Sequence, residues 1–278
     1  MSQPSSSDLD ARCFHCAAFQ CLMCTEPDQK VELAAAMHEA VRTGSLISRA
    51  ECRACPIIDI PVPGRPERPR LVQPRAVAAR GLGTPEGRVA LVHAIAHIEF
   101  NAMNLASDAA YRFRGMPTEY YADWIHIAAD EARHFAMLEG RLAALGARYG
   151  DFDAHDGLWQ MAAMTAGDPL ARMALVPRVL EARGLDVTPG MIRRLREVGD
   201  RETVACLEII LAEEVAHVAA GTRWFRHLCA GRGLEPDATF LALVAEHARG
   251  AVRGPFNLAD RETAGFSMVE MRALQGIG

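Results

Sequence analysis

The chain has 278 residues, half of them hydrophobic and 23% charged, with a formal net charge of -5. That is enough apolar material for a full core. It excludes the chain-wide basic field that draws a protein onto nucleic acid or anionic lipid, so a polyanion partner needs a local patch.

In chain order, the opening MSQPSSSDLDAR is polar and acidic and lacks the apolar run of a signal peptide. No later segment reads as a membrane span, so no membrane partner and a cytoplasmic location are expected. Leu9 to Thr43 reads as one or two short helices, and the Pro- and Arg-rich segment from Pro56 to Pro74 as an extended strap. Thr84 as N-cap and Pro85 as first residue start a long helix that runs to Gly115. Pro117 opens a second, with Trp124, Ile127, Ala128, Phe135, Leu138, Leu142 and Leu145 at helical spacing before Gly146.

After the loop GDFDAHDG, Asp156 is a cap for a short helix from Leu158. A third long helix starts at Asp168, bends at Pro177 and stops at Gly184, where GLDVTPG predicts an interruption before a short piece at Met191 to Val198. RETVACLEIILAEEVAHVAAGTRWFRHLC is a fourth long helix, followed by a terminal helix near 236–248 and an irregular tail. No stretch alternates β-branched residues, so the class is all-α.

The chemistry lies on these four long helices. Glu131 and His134 are three apart on the second, Glu214 and His217 three apart on the fourth, so each pair projects from one face. Both pairs stand in line with apolar residues: Trp124, Ala128 and Leu138 for the first, Leu207, Leu211 and Val218 for the second. Glu99 lies on the stripe Val92, Ile95, Ala96 and Met103 of the first helix, and Glu181 on the stripe Leu170, Ala174 and Pro177 of the third. Carboxylates and imidazoles facing a core need matching charge, which a pair of cations supplies.

Glu99 precedes Glu131 by 32 residues and Glu181 precedes Glu214 by 33, so the two halves repeat. The midpoint of the first pair is Gly115, the expected turn, so an antiparallel hairpin brings both side chains to one height. One Glu from each of two helices plus Glu-x-x-His from the other two is the ligand set of ferritin-like di-iron and di-manganese bundles. The domains expected are 1-83, an N-terminal helical segment and strap packed on the bundle; 84-250, a ferritin-like dimetal four-helix bundle; and 251-278, a C-terminal tail.

Neighbouring residues compete for these roles. Glu213 is kept as a support for Glu214. His126 and Asp130 are read either as partners of a metal-bound imidazole or as a surface hydrogen-bonded pair, and His93 and His97 as satisfied interhelical histidines off the Glu99 stripe. Cys13-x-x-Cys16, Cys21-x-x-Cys24 and Cys52-x-x-Cys55 have metal-site spacing. However, Cys13, Cys16, Cys21 and Cys24 also fall on one apolar helix face, and that reading is preferred over a second metal; the eight cysteines overall read as reduced thiols or ligands, not disulfides.

HIEFNAMNLASDAAYRF, DEARHFAMLEGRLAALGARYGDFDAHDGLW, ARMALVPRVLEARGLDVTPGM and EEVAHVAAGTRWFRHLC together resemble the domain-of-unknown-function 455 family of the ferritin-like superfamily, from about Pro74 to the tail. The resemblance implies a ferritin-like bundle with a carboxylate-bridged dinuclear site, and carries the ligand roles onto Glu99, Glu131, His134, Glu181, Glu214 and His217. The EAR of the third helix followed by a Glu-x-x-His is similar, over the metal motifs alone, to the ferritin-like tRNA hydroxylase.

The function expected is an oxygen-activating oxidoreductase or hydroxylase holding two metal ions, iron or a manganese and iron pair. Its substrate would be a small molecule or a modified RNA nucleoside, and an electron donor protein its partner. Tyr120, Tyr121, Trp159 or the GDFDAHDG loop are candidates to cap the pocket. For RNA, Arg65, Arg68, Arg70 and Arg75, or Arg193, Arg194 and Arg196, are the local positive charge, though solvated arginines are the plainer reading. The alternative is a metal-binding or iron-storage protein without organic turnover, which the extra segments disfavour; a descendant with an empty site is disfavoured by the six ligand-type residues.

Overall fold

The computed structural model describes residues 13–46, 55–78, 80–248, 250 and 252–277; Leu9 to Arg12 and Cys52 fall outside them. Every regular element among the described residues is helical, apart from one isolated bridge, so the all-α expectation holds. The chain forms two compact units, one ending at Ala163 and the other starting at Met164.

In the first unit, α1 (Phe14–Met23) and α2 (Pro27–Arg42) are separated at Pro27, which opens α2. Next come α3 (Pro85–Arg112), α4 (Thr118–Ala144) and the short α5 (Gly157–Met164). Thr84 caps α3 by accepting from the Gly87 N–H at 3.1 Å. Between α3 and α4 the chain turns at Gly115, whose φ of 74° an L side chain rarely adopts. The Tyr121 hydroxyl locks this turn, donating to Phe113 O (3.0 Å) and accepting from Met116 N (3.1 Å).

Helix α1 packs on α3, α3 on α4, α4 on α2 and α2 on α1, so four helices enclose the core of this unit. Helix α3 is long and apolar enough to cross a membrane by length and composition, with mean hydropathy 1.2, but 72% of that stretch is buried inside the protein. Central helices of a core pass the same test, and this one corrects the expectation that no segment would.

An extended strap needs partners for its backbone polar groups, and side chains of the helices provide them. Tyr111 OH donates to Pro56 O (2.8 Å) and accepts from Ile58 N (2.9 Å), Arg114 donates to Cys55 O, and Trp159 Nε1 donates to Pro61 O at 3.1 Å. The fully buried Lys30 ammonium donates to Leu22 O, Gly64 O and Asn104 Oδ1, tying α1, strap and α3 together. Gly64 fits where no side chain could, since a Cβ there would lie 2.2 Å from the Met23 backbone. Beyond it the strap pairs Leu71 with Ala154 in a parallel bridge.

In the second unit, α6 (Pro169–Leu175) passes through a π-helical turn (Val176–Glu181) straight into α7 (Ala182–Glu197). Pro177 has no N–H for the helical ladder, and the wider turn accommodates its ring. The π turn, α6 and α7 all pack on α8 (Arg201–Arg232). Gly221 of α8 makes room: a Cβ there would stand 2.4 Å from Pro177 Cβ and Cγ.

The interruption expected at GLDVTPG is absent, because α7 continues through Gly184, Pro189 and Gly190. Two features offset the cost of Pro189. Leu185, Ile192 and Leu195 stay buried in one helical register, and Asn257 Nδ2 donates at 3.2 Å to the Leu185 carbonyl, which a residue-189 N–H would otherwise have met.

After α9 (Pro236–His247), the expected irregular tail instead folds into α10 (Leu258–Thr263) and α11 (Met268–Ile277). Helices this short are not stable alone. Buried ion pairs hold them: Arg261 with Asp186 at 2.7 Å, and Arg178 with both Glu270 oxygens at 2.7 Å, its guanidinium lying over the Phe225, Phe240 and Phe266 rings.

Candidate metal centre

In the first unit the α3–α4 hairpin brings Glu99, Glu131 and His134 together in the core, at 3%, 0% and 0% exposure. His134 Nδ1 lies 3.1 Å from Glu99 Oε2 and 3.4 Å from Glu131 Oε2. Burial alone would depress the imidazole, but hydrogen bonds and charge from Glu131 and Glu99 outweigh it and lift the pKa of His134 to about 11. Protonated, Nδ1 would donate to both carboxylates. One potential donor atom from each of the three lies within 4.8 Å of the others, so this buried carboxylate and imidazole group could hold a metal ion in place of that proton.

The second unit carries a Glu-x-x-His pair of its own. Glu214 and His217 are buried on α8, and His217 Nδ1 is 3.6 Å from Glu214 Oε1, nearly the spacing of Glu131 and His134. The three-residue interval thus gives both pairs the same arrangement, with Nδ1 turned to its own glutamate. Glu181 is half-buried and is the last residue of the π turn that packs against α8. Glu213 is half-buried beside this pair.

The remaining candidates have other work. His93 Nε2 accepts from Gly150 N at 2.9 Å, and burial pulls its pKa down to about 4. His97 is held by Tyr149 OH (2.8 Å) and His155 O (3.0 Å), so both histidines join α3 to the loop after α4. His126 sits 3.5 Å from Asp130 at the surface. Cys13 and Cys21 are buried with Ala18 and Leu22 on the inner face of α1, and Cys16 and Cys24 are partly exposed. Arg70 pairs with Asp153 and Arg196 with Glu208. Tyr120 and Tyr121 are buried packing residues, and Trp159 holds the strap.

The sequence matches the family described as protein of unknown function (DUF455) over residues 23–272. The chain belongs to the DUF455 family. A relative from Haemophilus influenzae, itself an uncharacterized protein, is 44% identical over 213 residues, spanning 74% of each chain. No solved structure matches the DUF455 chain. The match includes all six ligand positions expected from the sequence, and starts after Cys13, Cys16 and Cys21.

Proposed function

We propose that this DUF455 protein is a ferritin-like dinuclear metal protein in which α3, α4, the α6–π–α7 segment and α8 supply one four-helix metal bundle. Glu99, Glu131 and His134 form one half of its ligand set, and Glu181, Glu214 and His217 the other. The observation that carries the reading is the buried meeting of Glu99, Glu131 and His134 around one imidazole nitrogen, with the same Glu-x-x-His arrangement repeated on α8. The donors are oxygen and nitrogen, which suit iron or a manganese and iron pair.

Bound there, two iron ions would supply the redox chemistry that activates dioxygen to oxidise an organic substrate, with electrons from a donor protein. The chain's own part is to keep water out and charge matched. Buried glutamates hold negative charge that only a proton or a cation balances, and each histidine turns Nδ1 toward its glutamate. The π turn supports the reading, since such turns recur at functional sites and this one ends on Glu181. Storage without turnover is the weaker reading, because the strap and the tail helices exceed what a minimal iron-binding bundle needs.

The test is metal analysis of wild type, Glu131→Ala and His217→Ala, then oxygen consumption with metabolite and RNA extracts. The proposal expects both variants to lose metal and product together. Metal lost with no oxidised product from any extract favours storage, and unchanged metal in both variants refutes the centre.

A further inference from the structure

A second feature of the first unit is unused by the metal reading: a cavity of about 180 Å³ beneath the strap. Its inner wall is α3 at His97, Phe100 and Asn101, and its other walls come from the strap, Tyr149 and Trp159. His97 and Asn101 each lie two positions from Glu99, about 160° around the helix axis at 100° per residue. The cavity is therefore on the opposite side of α3 from the ligand carboxylate. Val62, 55% exposed, also lines it, so it reaches the surface at the strap.

The apolar part of the lining comes from the rings of Phe100, Tyr149 and Trp159 and from prolines of the strap. A cavity of roughly 150 Å³ holds a benzene molecule, so the space suits one ring. Among the lining residues only Arg65 and Asp156 carry a full charge of fixed sign. Asp156 is engaged, accepting from Gln160 Nε2 at 2.6 Å. Arg65 donates from Nη1 to the strap carbonyls of Pro66 (3.2 Å) and Pro69 (3.5 Å), while its buried Nε has no hydrogen-bond partner among the described residues. No carboxylate among the described residues pairs with it, which is unusual for a half-buried guanidinium whose fork fits one.

We propose that this cavity is a binding site for a single-ring aromatic carboxylate, its ring among Phe100, Tyr149 and Trp159 and its carboxylate on Arg65. The site is independent of the metal reading, because it uses no ligand residue and faces away from Glu99. His97 belongs to its wall only, since both ring nitrogens are already held by Tyr149 and His155.

The test is calorimetric titration of the full chain, stripped of metal with chelator, using benzoate and its neutral isostere benzamide. Benzoate should bind, benzamide at least about tenfold more weakly, and Arg65→Gln should remove the difference. No heat from benzoate at millimolar concentration, or equal affinity for the two compounds, overturns the proposal. The comparison on wild type stands even if Arg65→Gln fails to fold. Because metal is absent throughout, neither result depends on the dinuclear centre.

Discussion

The two units carry the same kinds of candidate ligand but hold them differently. In the first unit, Glu99 and Glu131 stand on an uninterrupted hairpin whose turn is the residue midway between them, and regular helix geometry brings them to His134. In the second, Glu181 ends a π turn created at Pro177, and only Gly221 allows α8 close enough to support it. A half set by helix periodicity tolerates local change; a half set by a helix defect depends on the few residues that hold the defect in place.

That contrast can be broken from either side. The largest effect is expected from Glu131→Ala, which removes one of the two carboxylates on His134. Metal binding should fall below detection in elemental analysis while the helical circular dichroism signal persists; retained metal would deny this half its role.

Gly221→Ala tests the other half. The added methyl meets Pro177 at an impossible distance, so either the π turn or α8 must shift, and a loss of about 2 kcal/mol is expected by urea denaturation. Ala at Gly140 of α4, where a Cβ has open space, should be neutral or stabilising in the same assay. Equal effects at the two glycines would remove the distinction.

His93 sharpens the comparison through pH. Its folded pKa of about 4 lies below the ordinary value near 6.5, so the unfolded chain binds the proton more readily. The stability that His93 contributes is therefore complete above pH 6.5 and is lost as pH falls toward 4, when protonation breaks its bond from Gly150 N. His93→Gln should flatten the wild-type decline over that window, seen in melting temperatures at each pH; a parallel decline in both proteins would contradict the assignment.

The smallest effect is expected from Asn257→Ala, which leaves the Leu185 carbonyl without its amide donor beside Pro189. About 1 kcal/mol should be lost from this bond beyond the loss of the Asn257 cap on α10, and that share should vanish when Asn257→Ala is made in a Pro189→Ala background, because the new N–H can meet the carbonyl. Additive losses in the double variant would argue against this pairing.

The difference between the halves also decided what could be read in advance. Thr84, Pro85, Gly115 and the spacing of Glu99 and Glu131 are local signals, and they located the hairpin and the meeting of its two glutamates. The continuity of α7 was not legible, since Gly184, Pro189 and Gly190 are local breakers and the residue that compensates, Asn257, lies 72 positions from Leu185. The tail helices were missed for the same reason: Arg178 and Glu270, 92 apart, meet only in the folded unit. Nor does any pattern announce Arg65 as a cavity residue, because the strap is ordered by Tyr111, Trp159 and Lys30 at a distance.

Anaerobic titration of the metal-free protein with ferrous iron bears most directly on the proposed dinuclear centre. Wild type should saturate at two ions per chain, and single variants drawn from opposite halves, His134→Ala and His217→Ala, should both bind fewer. Saturation of wild type at one ion or none, or an unchanged stoichiometry in His217→Ala, would contradict a centre built from both halves.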